Sequence, residues 1–305
     1  MEAKFEPLIE SIKNSDGFPL CVLMESLMKY FKYEIHSDLY YAIGAGSILT
    51  MPFTEDTDEL LYSGFSYVKS VCYYSGAWAI DYITADAAAF VKKLKESWHE
   101  WADMQQPMPI VVGITENGSV DFYILTGLEN GDRHFCLIDS KGNLTVKSDE
   151  EMCACRERLG YCTIDVPFNF MAKSNYYRTP ERAFSYIVAD TSVNLANNGY
   201  LEKLASESAP IKEDCLQKLI ARVDKNKYDT GLYRGRVARA LEILGREEAA
   251  VAYYAAEKLW KRFFLETDNG SVKDFLWPEL LKAERELQGY IEDNYAGSFR
   301  LGTFS

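Results

Sequence analysis

Three histidines, His36, His99 and His134, are the only imidazoles in the 305-residue chain, and that scarcity limits any nucleophilic mechanism it could run. A thiol nucleophile needs an imidazole within hydrogen-bonding reach and a carboxylate or amide to orient that imidazole. Of the seven cysteines, Cys21 has the most suggestive setting. It lies two positions after Pro19 and opens residues 21–33, where Cys21, Met24, Leu27, Met28 and Phe31 recur at helical spacing. Proline is tolerated at a helix entry. A thiol in the first turn feels the positive end of the helix macrodipole, which favours thiolate. The plainer reading of any one cysteine is a small buried apolar residue. His99, set between Trp98 and Trp101, reads as a partly covered structural histidine. Cys153, Cys155 and Cys162 form the one cysteine cluster, but they lack the paired Cys-x-x-Cys spacing of zinc sites, so no metal is expected.

The elements that would position these groups follow from the apolar period. A helix is expected over residues 85–104, with Phe90, Val91, Leu94, Trp98 and Trp101 on one side and Pro107 and Pro109 closing it. The period then changes. Residues 110–113, 120–126, 133–138 and 144–146 read as short strands, joined by turns that contain Glu116-Asn-Gly-Ser, Glu129-Asn-Gly-Asp and Asp139-Ser-Lys-Gly-Asn, each with the Gly or Asn that hairpins favour. An antiparallel meander results. Beyond Pro167 and Pro180 the pattern is helical, over residues 215–223, 237–244, 251–264 and 275–287. The fold class is therefore α+β. A cysteine-bearing helix, further helices and an antiparallel sheet come in the order of a papain-like cysteine domain, expected over residues 1–170, with an all-α helical domain over 171–305.

The run Cys21-Val-Leu-Met-Glu-Ser-Leu-Met-Lys-Tyr-Phe with residues 35–46 resembles the opening of the butirosin biosynthesis protein H family. Ala88-Ala-Phe-Val-Lys-Lys-Leu-Lys and Pro109-Ile-Val-Val-Gly113 are similar to its central helix and strand, and Thr230-Gly-Leu-Tyr-Arg-Gly-Arg-Val-Ala-Arg-Ala-Leu241 to its glycine-containing turn into a Tyr-Arg helix. The resemblance spans most of the chain as scattered matches. It implies a papain-like thiol acyltransferase that moves an acyl group from an acyl carrier protein to an amine in specialised-metabolite assembly, with Cys21 as nucleophile. Hydrolysis of a thioester or peptide by the same machinery stays open.

Two registers compete for the histidine. In the first, His134 opens a strand, the turn of residues 139–143 reverses the chain, and Asp149 returns beside it, giving a Cys21, His134, Asp149 triad. In the second, residues 122–127 match the histidine strand, residues 137–142 match the strand that ends in the orienting Asp139, and Ser148-Asp-Glu-Glu-Met starts a helix. Asp121 then occupies the histidine position. A carboxylate there disfavours thiolate and supplies no imidazolium to protonate a leaving group. The alternative to an enzyme is then a catalytically degenerate papain-like scaffold that binds a carrier protein, peptide or small molecule. Asn14, upstream of Cys21, is the one suggestive amide for an oxyanion or substrate contact.

Thirty-three basic and 46 acidic residues leave a net charge of -13, which opposes attraction to nucleic acid or anionic lipid. The start of the chain has no basic segment followed by an apolar one, and no run approaches the ~18 apolar residues of a membrane span, so a cytoplasmic location is expected. The expected partners are an acyl or peptidyl carrier protein and a small-molecule acceptor, without nucleic acid or membrane; the oligomeric state stays open. No cofactor is expected beyond phosphopantetheine as part of a carrier-bound substrate. Against the acidic background, Arg234, Arg236, Arg239 and Arg246 cluster at and after the Gly231 turn. They read either as a solvated face paired with Glu242, Glu247 and Glu248 or, for Arg234 and Arg236, as a phosphate-docking site, since guanidinium binds phosphate bidentately and a helix start adds backbone donors.

Overall fold

The computed structural model describes residues 2–33, 35–54, 56–75, 77–102, 110–116, 119–154, 159–165, 183–184, 187, 209–226, 228–267 and 277–301. In chain order these form α1 (Glu2–Lys13), α2 (Pro19–Tyr30), α3 (Ser37–Ile43), α4 (Ala45–Thr50), a 3-10 turn (Met51–Phe53), α5 (Thr57–Ser75), β1 (Trp78–Thr84) and α6 (Ala87–Ala102). There follow β2 (Ile110–Glu116), β3 (Ser119–Glu129), β4 (His134–Ile138), β5 (Leu144–Ser148), α7 (Asp149–Ala154) and β6 (Leu159–Asp165). The chain continues with α8 (Ala209–Asn226), α9 (Arg234–Ile243), α10 (Glu247–Glu266) and α11 (Trp277–Leu301). The fold is mixed α+β and mostly helical. Among the described residues no helix is long and apolar enough to cross a membrane. Pro107, Pro109, Pro167 and Pro180 lie outside the described residues.

The chain divides into two compact units: Met1–Ile35 with Thr54–Tyr176, and His36–Phe53 with Tyr177–Ser305. This differs from a sequential split after residue 170, because α3, α4 and the 3-10 turn leave the first unit's stretch of sequence and join the helices of the second. Their side chains explain why. Tyr40, Tyr41, Ile43, Ile48 and Leu49 are buried, Tyr41 packs on Tyr233 with ring centroids 5.4 Å apart, and Phe53 packs on Trp260 at 5.6 Å. Arg222 Nη1 also donates to the Pro52 carbonyl at 2.7 Å.

In the first unit the sheet order is β1-β6-β2-β3-β4-β5, antiparallel throughout. The β2 to β5 meander follows the sequence expectation. The strands β1 and β6 extend it, with β6 inserted between β1 and β2. The β3–β4 turn holds Asn130, Gly131 and Asp132 in succession at positive φ; asparagine, glycine and aspartate tolerate that region better than other residues. One sheet face carries Ile110, Val112, Leu125, Phe135, Leu137, Leu159 and Tyr161 against Phe90, Val91 and Leu94 of α6 and Met152 of α7. Alternation sends Gly113, Phe122 and Gly160 to the other face, where Phe65 of α5 stands edge-on to Phe122 at 5.9 Å.

Helix α5 approaches the sheet closely because Gly113 and Gly160 are cross-strand partners that leave room for Leu61 and Phe65 of the helix, and because Gly64 faces the Phe122 ring. A Cβ on Gly160 would stand 2.5 Å from Phe65 Cε2, and one on Gly64 would overlap the Phe122 ring. Gly64→Ala should therefore destabilise by about 1–3 kcal/mol through overpacking, despite the better helix propensity of alanine. Thermal unfolding checks this: the double change Gly64→Ala with Phe122→Leu should recover part of the loss, and a Gly64→Ala protein as stable as wild type would show that the ring yields freely.

The second unit packs Leu216, Leu219, Val223, Leu232, Trp260, Phe263 and Leu280 into one cluster.

Candidate functional site

Cys21 is the third residue of α2, which starts at Pro19 after extended Phe18, with no side chain capping the helix. It lies in the first turn, as the apolar pattern requires, yet its residue exposure is only 1%. Glu25 sits one turn on, on the same face of the helix; it is buried as well and is held by Lys29 at 2.6 Å. The Phe5 ring lies against Tyr30, centroids 6.0 Å apart, so α1 and α2 run antiparallel and the end of α1 lies beside the start of α2. That end of α1 abuts the β4–β5 turn: a Cβ on Gly142 would be 3.2 Å from the Ile9 carbonyl oxygen. The Cys21 end of the helical hairpin therefore shares the sheet end occupied by residues 139–143.

This geometry decides which of the expected partners lie together. Asp139 follows β4, and Asp121 precedes the last β3–β4 pair, Ile124 with Ile138, so both aspartates lie at the Cys21 end. Asp139 is spent on its own turn: Oδ1 accepts from the Lys141 and Asn143 amides, each at 2.8 Å, and Oδ2 accepts from Asn143 Nδ2 at 2.9 Å. Asp121 is exposed on β3 opposite Ile114. Asn14, also exposed, lies just after α1, where its amide N–H donates to the Glu10 carbonyl at 3.1 Å. His134 and His99 do not join this group. His134 opens β4 opposite Glu129 and Ser148, the far end of the strand, and five residues of strand separate it from Asp139 by about 17 Å.

Asp149 lies at the His134 end, because His134 pairs with Ser148. Its carboxylate is engaged by Lys95 of α6, Nζ to Oδ2 2.6 Å, and its amide donates to the Arg133 carbonyl at 2.9 Å. The first register thus brings His134 and Asp149 to one end of the sheet and leaves Cys21 at the other. Ser148 and Glu151 cap α7 reciprocally: the Ser148 amide donates to Glu151 Oε2 at 2.6 Å, and the Glu151 amide donates to Ser148 Oγ at 3.1 Å. This is the capping-box pattern, and the backbone hydrogen bond from Ser148 holds the Glu151 carboxyl below its usual range. His99 is not simply covered by its tryptophan neighbours. Its Nε2 lies 2.8 Å from Asp132 Oδ2 at the β3–β4 turn. Lys95 and His99, four residues apart on α6, hold the two acidic positions beside β4, and that spacing is the signal by which sequence reading could have found them. Burial, with the Glu129 charge beside it, pushes the Cys136 thiol up to about 11.

The arginine cluster separates into distinct roles. Arg234 is fully buried and is not a surface phosphate contact. Its Nε and Nη2 donate to the two carboxylate oxygens of Glu284 at 2.6 and 3.0 Å, and Nη1 donates to the Leu232 carbonyl at 3.0 Å. Trp260 Nε1 donates to the same Glu284 carboxylate. Arg236 and Arg239 converge on Asp38, and Arg246 lies over the Phe184 ring at 4.7 Å. Arg234, Arg236 and Arg239 thus meet carboxylates far away in sequence, Glu284 and Asp38.

Cys153 is exposed on α7, Cys162 lies on β6, and Cys155 falls outside the described residues. Among the described residues no group of three or more His, Cys, Asp or Glu is arranged to hold a metal ion. No protein-family model matches the chain, and no curated protein is found to be similar to it.

Proposed function

We propose that this chain is a papain-like scaffold that has lost thiol catalysis and acts as a binding protein for a carrier protein, peptide or small molecule. The observation that carries this reading is the split of the candidate triad: Cys21 lies at the sheet end bearing Asp121 and Asp139, whereas His134 and Asp149 lie at the other. With His134 at the other end of the sheet, the Cys21, His134, Asp149 triad has no base at the sulfur and no acid for the leaving group. The burial of Cys21 points the same way.

The thiol-dependent acyltransferase reading, with an acyl carrier protein as donor and Cys21 as nucleophile, retains the placement of Cys21 in the first turn of α2. Alkylation rates separate the two. At pH 6.5, iodoacetamide followed by peptide mapping should modify exposed Cys153 at least ten-fold faster than Cys21, and Cys21→Ala should leave any turnover of a small acyl thioester unchanged. Cys21 reacting first of all the cysteines, with turnover lost in Cys21→Ala, would restore the acyltransferase.

A further inference from the structure

The sheet of the first unit ends on β5, and the outer edge of that strand is open. Two backbone hydrogen bonds fix which residues face it: the Asp139 amide donates to the Asn143 carbonyl at 3.1 Å, and the Asp149 amide donates to the Arg133 carbonyl at 2.9 Å. Hydrogen-bonded pairs alternate with non-bonded ones in an antiparallel ladder. In the β4–β5 register Leu137 with Thr145 and Phe135 with Lys147 are therefore bonded, whereas Ile138 with Leu144, Cys136 with Val146 and His134 with Ser148 are not. Leu144, Val146 and Ser148 thus turn their N–H and C=O groups away from β4. The Ser148 amide donates outward to Glu151 Oε2 at 2.6 Å, which closes the edge at that residue. The N–H and C=O groups of Leu144 and Val146 have no partner among the described residues. Their side chains share one face of the strand and are 45% and 50% exposed, although Ile138 and Cys136 across the ladder are buried.

An open edge is a template for another strand, and this one is complementary to itself. A second copy laid antiparallel about Thr145 sets Leu144 against its Val146 and Val146 against its Leu144. Each pair exchanges both N–H···O bonds, so every open group of the two residues is used. Centring the pairing on Val146 instead would set Leu144 against Ser148, whose amide Glu151 already holds. The register about Thr145 also joins the exposed leucine and valine as cross-strand apolar pairs on one face. Charge agrees with it. Lys147 falls opposite Asn143 and Lys141 opposite Asp149, so no like charges meet between residues 141 and 149. Lys13, against Gly142, adds a second cation at the end that meets Asp149, Glu150 and Glu151 of the second copy. Further out, Asp139 and Glu151 are each held within their own copy by backbone amides. Pairing of β5 with β5 closes on itself as a two-fold dimer and leaves no β5 edge for a third chain.

We propose that β5 is an interface between two copies of this chain, paired antiparallel about Thr145 into one continuous sheet. The proposal does not involve Cys21, so its failure would leave the non-catalytic reading intact, and the reverse holds as well. The test is sedimentation of the full chain over a wide concentration range at about 0.15 M salt, which screens the repulsion between two copies of net charge -13. A dimer that dissociates on dilution, and whose association weakens at least ten-fold in Val146→Pro and in Leu144→Lys but not in Val251→Lys, supports the interface. Proline at 146 removes an outward N–H and leaves the β4–β5 ladder whole; Val251, 66% exposed on α10, controls for general loss of apolar surface. Leu144→Lys changes only an exposed side chain, so it carries the test if Val146→Pro does not fold. The register has its own readout. Thr145 faces Thr145 of the second copy across a non-bonded pair with Cα atoms about 4.5 Å apart, so mild oxidation of Thr145→Cys should link the two substituted positions at least ten-fold faster than Lys147→Cys does. A wild-type chain that is monomeric at every concentration overturns the proposal and leaves the edge to a heterologous peptide. A dimer undiminished in Leu144→Lys, or linkage of Lys147→Cys as fast as that of Thr145→Cys, overturns it as well.

Discussion

Arg234→Met should destabilise the helical unit by about 3–5 kcal/mol, since removing one partner of a buried ion pair leaves the other charge uncompensated. Arg234 and Glu284 are 0% and 1% exposed, so water cannot replace the lost partner, and Glu284 would lose both guanidinium hydrogen bonds while keeping the Trp260 indole N–H. Removing both charges is a different case, because a buried pair replaced by apolar residues of similar volume is often neutral. Arg234→Met with Glu284→Leu should therefore regain much of the single variant's loss. Local backbone strain adds to the effect. Leu232 and Tyr233, just before Arg234, have φ of 48° and 63°, a region that costs a non-glycine residue on the order of 1 kcal/mol or more. The Arg234 side chain helps to hold them through its hydrogen bond to the Leu232 carbonyl. Urea unfolding followed by tryptophan fluorescence reads this directly. A single variant within about 1 kcal/mol of wild type, or a double variant no better than the single, would show that the network contributes little.

The arginines show where sequence reading stops. The four share a charge and a neighbourhood, so composition treats them as one patch. Helical spacing already distinguishes them: Val237, Ala238 and Leu241, at three, four and seven positions after Arg234, are buried, which puts Arg234 on the apolar face of α9. Arg236 and Arg239 fall on another face. What the sequence could not supply is Glu284, 50 residues away, or Asp38, 198 residues from Arg236. The β2 to β5 meander was readable because its turns carry Asn-Gly or Lys-Gly-Asn between apolar runs. The sheet's extension was harder to read. Strand β6 contains Gly160 and Thr163 and pairs with strands on both sides, and nothing local in Leu159–Asp165 names β1 as a neighbour. The two histidine registers differ by which strand of one hairpin is matched. Apolar pattern fits both, and the difference appears only when α1 and the β4–β5 turn are seen to meet.

Removing residues 36–53 should prevent the second unit from folding, and residues 177–305 expressed alone should fare no better. A sequential domain boundary would predict the opposite, an autonomous C-terminal fragment. Tyr40, Tyr41, Ile43, Ile48 and Leu49 are each at most 1% exposed, and burying a large apolar side chain contributes about 1.5–3 kcal/mol. Five such side chains amount to roughly 10 kcal/mol, comparable to the about 5–15 kcal/mol by which a whole protein is stable. The segment also supplies Asp38, whose absence would leave Arg236 and Arg239 without their carboxylate, and the Pro52 carbonyl that receives Arg222. Entropy makes the expected result sharper. In the intact chain the segment is tethered at both ends, so docking is an intramolecular step, whereas a fragment must recover it as a separate molecule against lost translational freedom. Circular dichroism and amide exchange should find residues 177–305 without a cooperative transition. A single polypeptide that joins residues 36–53 to residues 177–305 through a flexible linker should regain one. If residues 177–305 melt cooperatively by themselves with slow amide exchange in α9 and α10, α3 and α4 are a covering rather than part of the core, and the division of the chain into these two units fails as a description of how it folds.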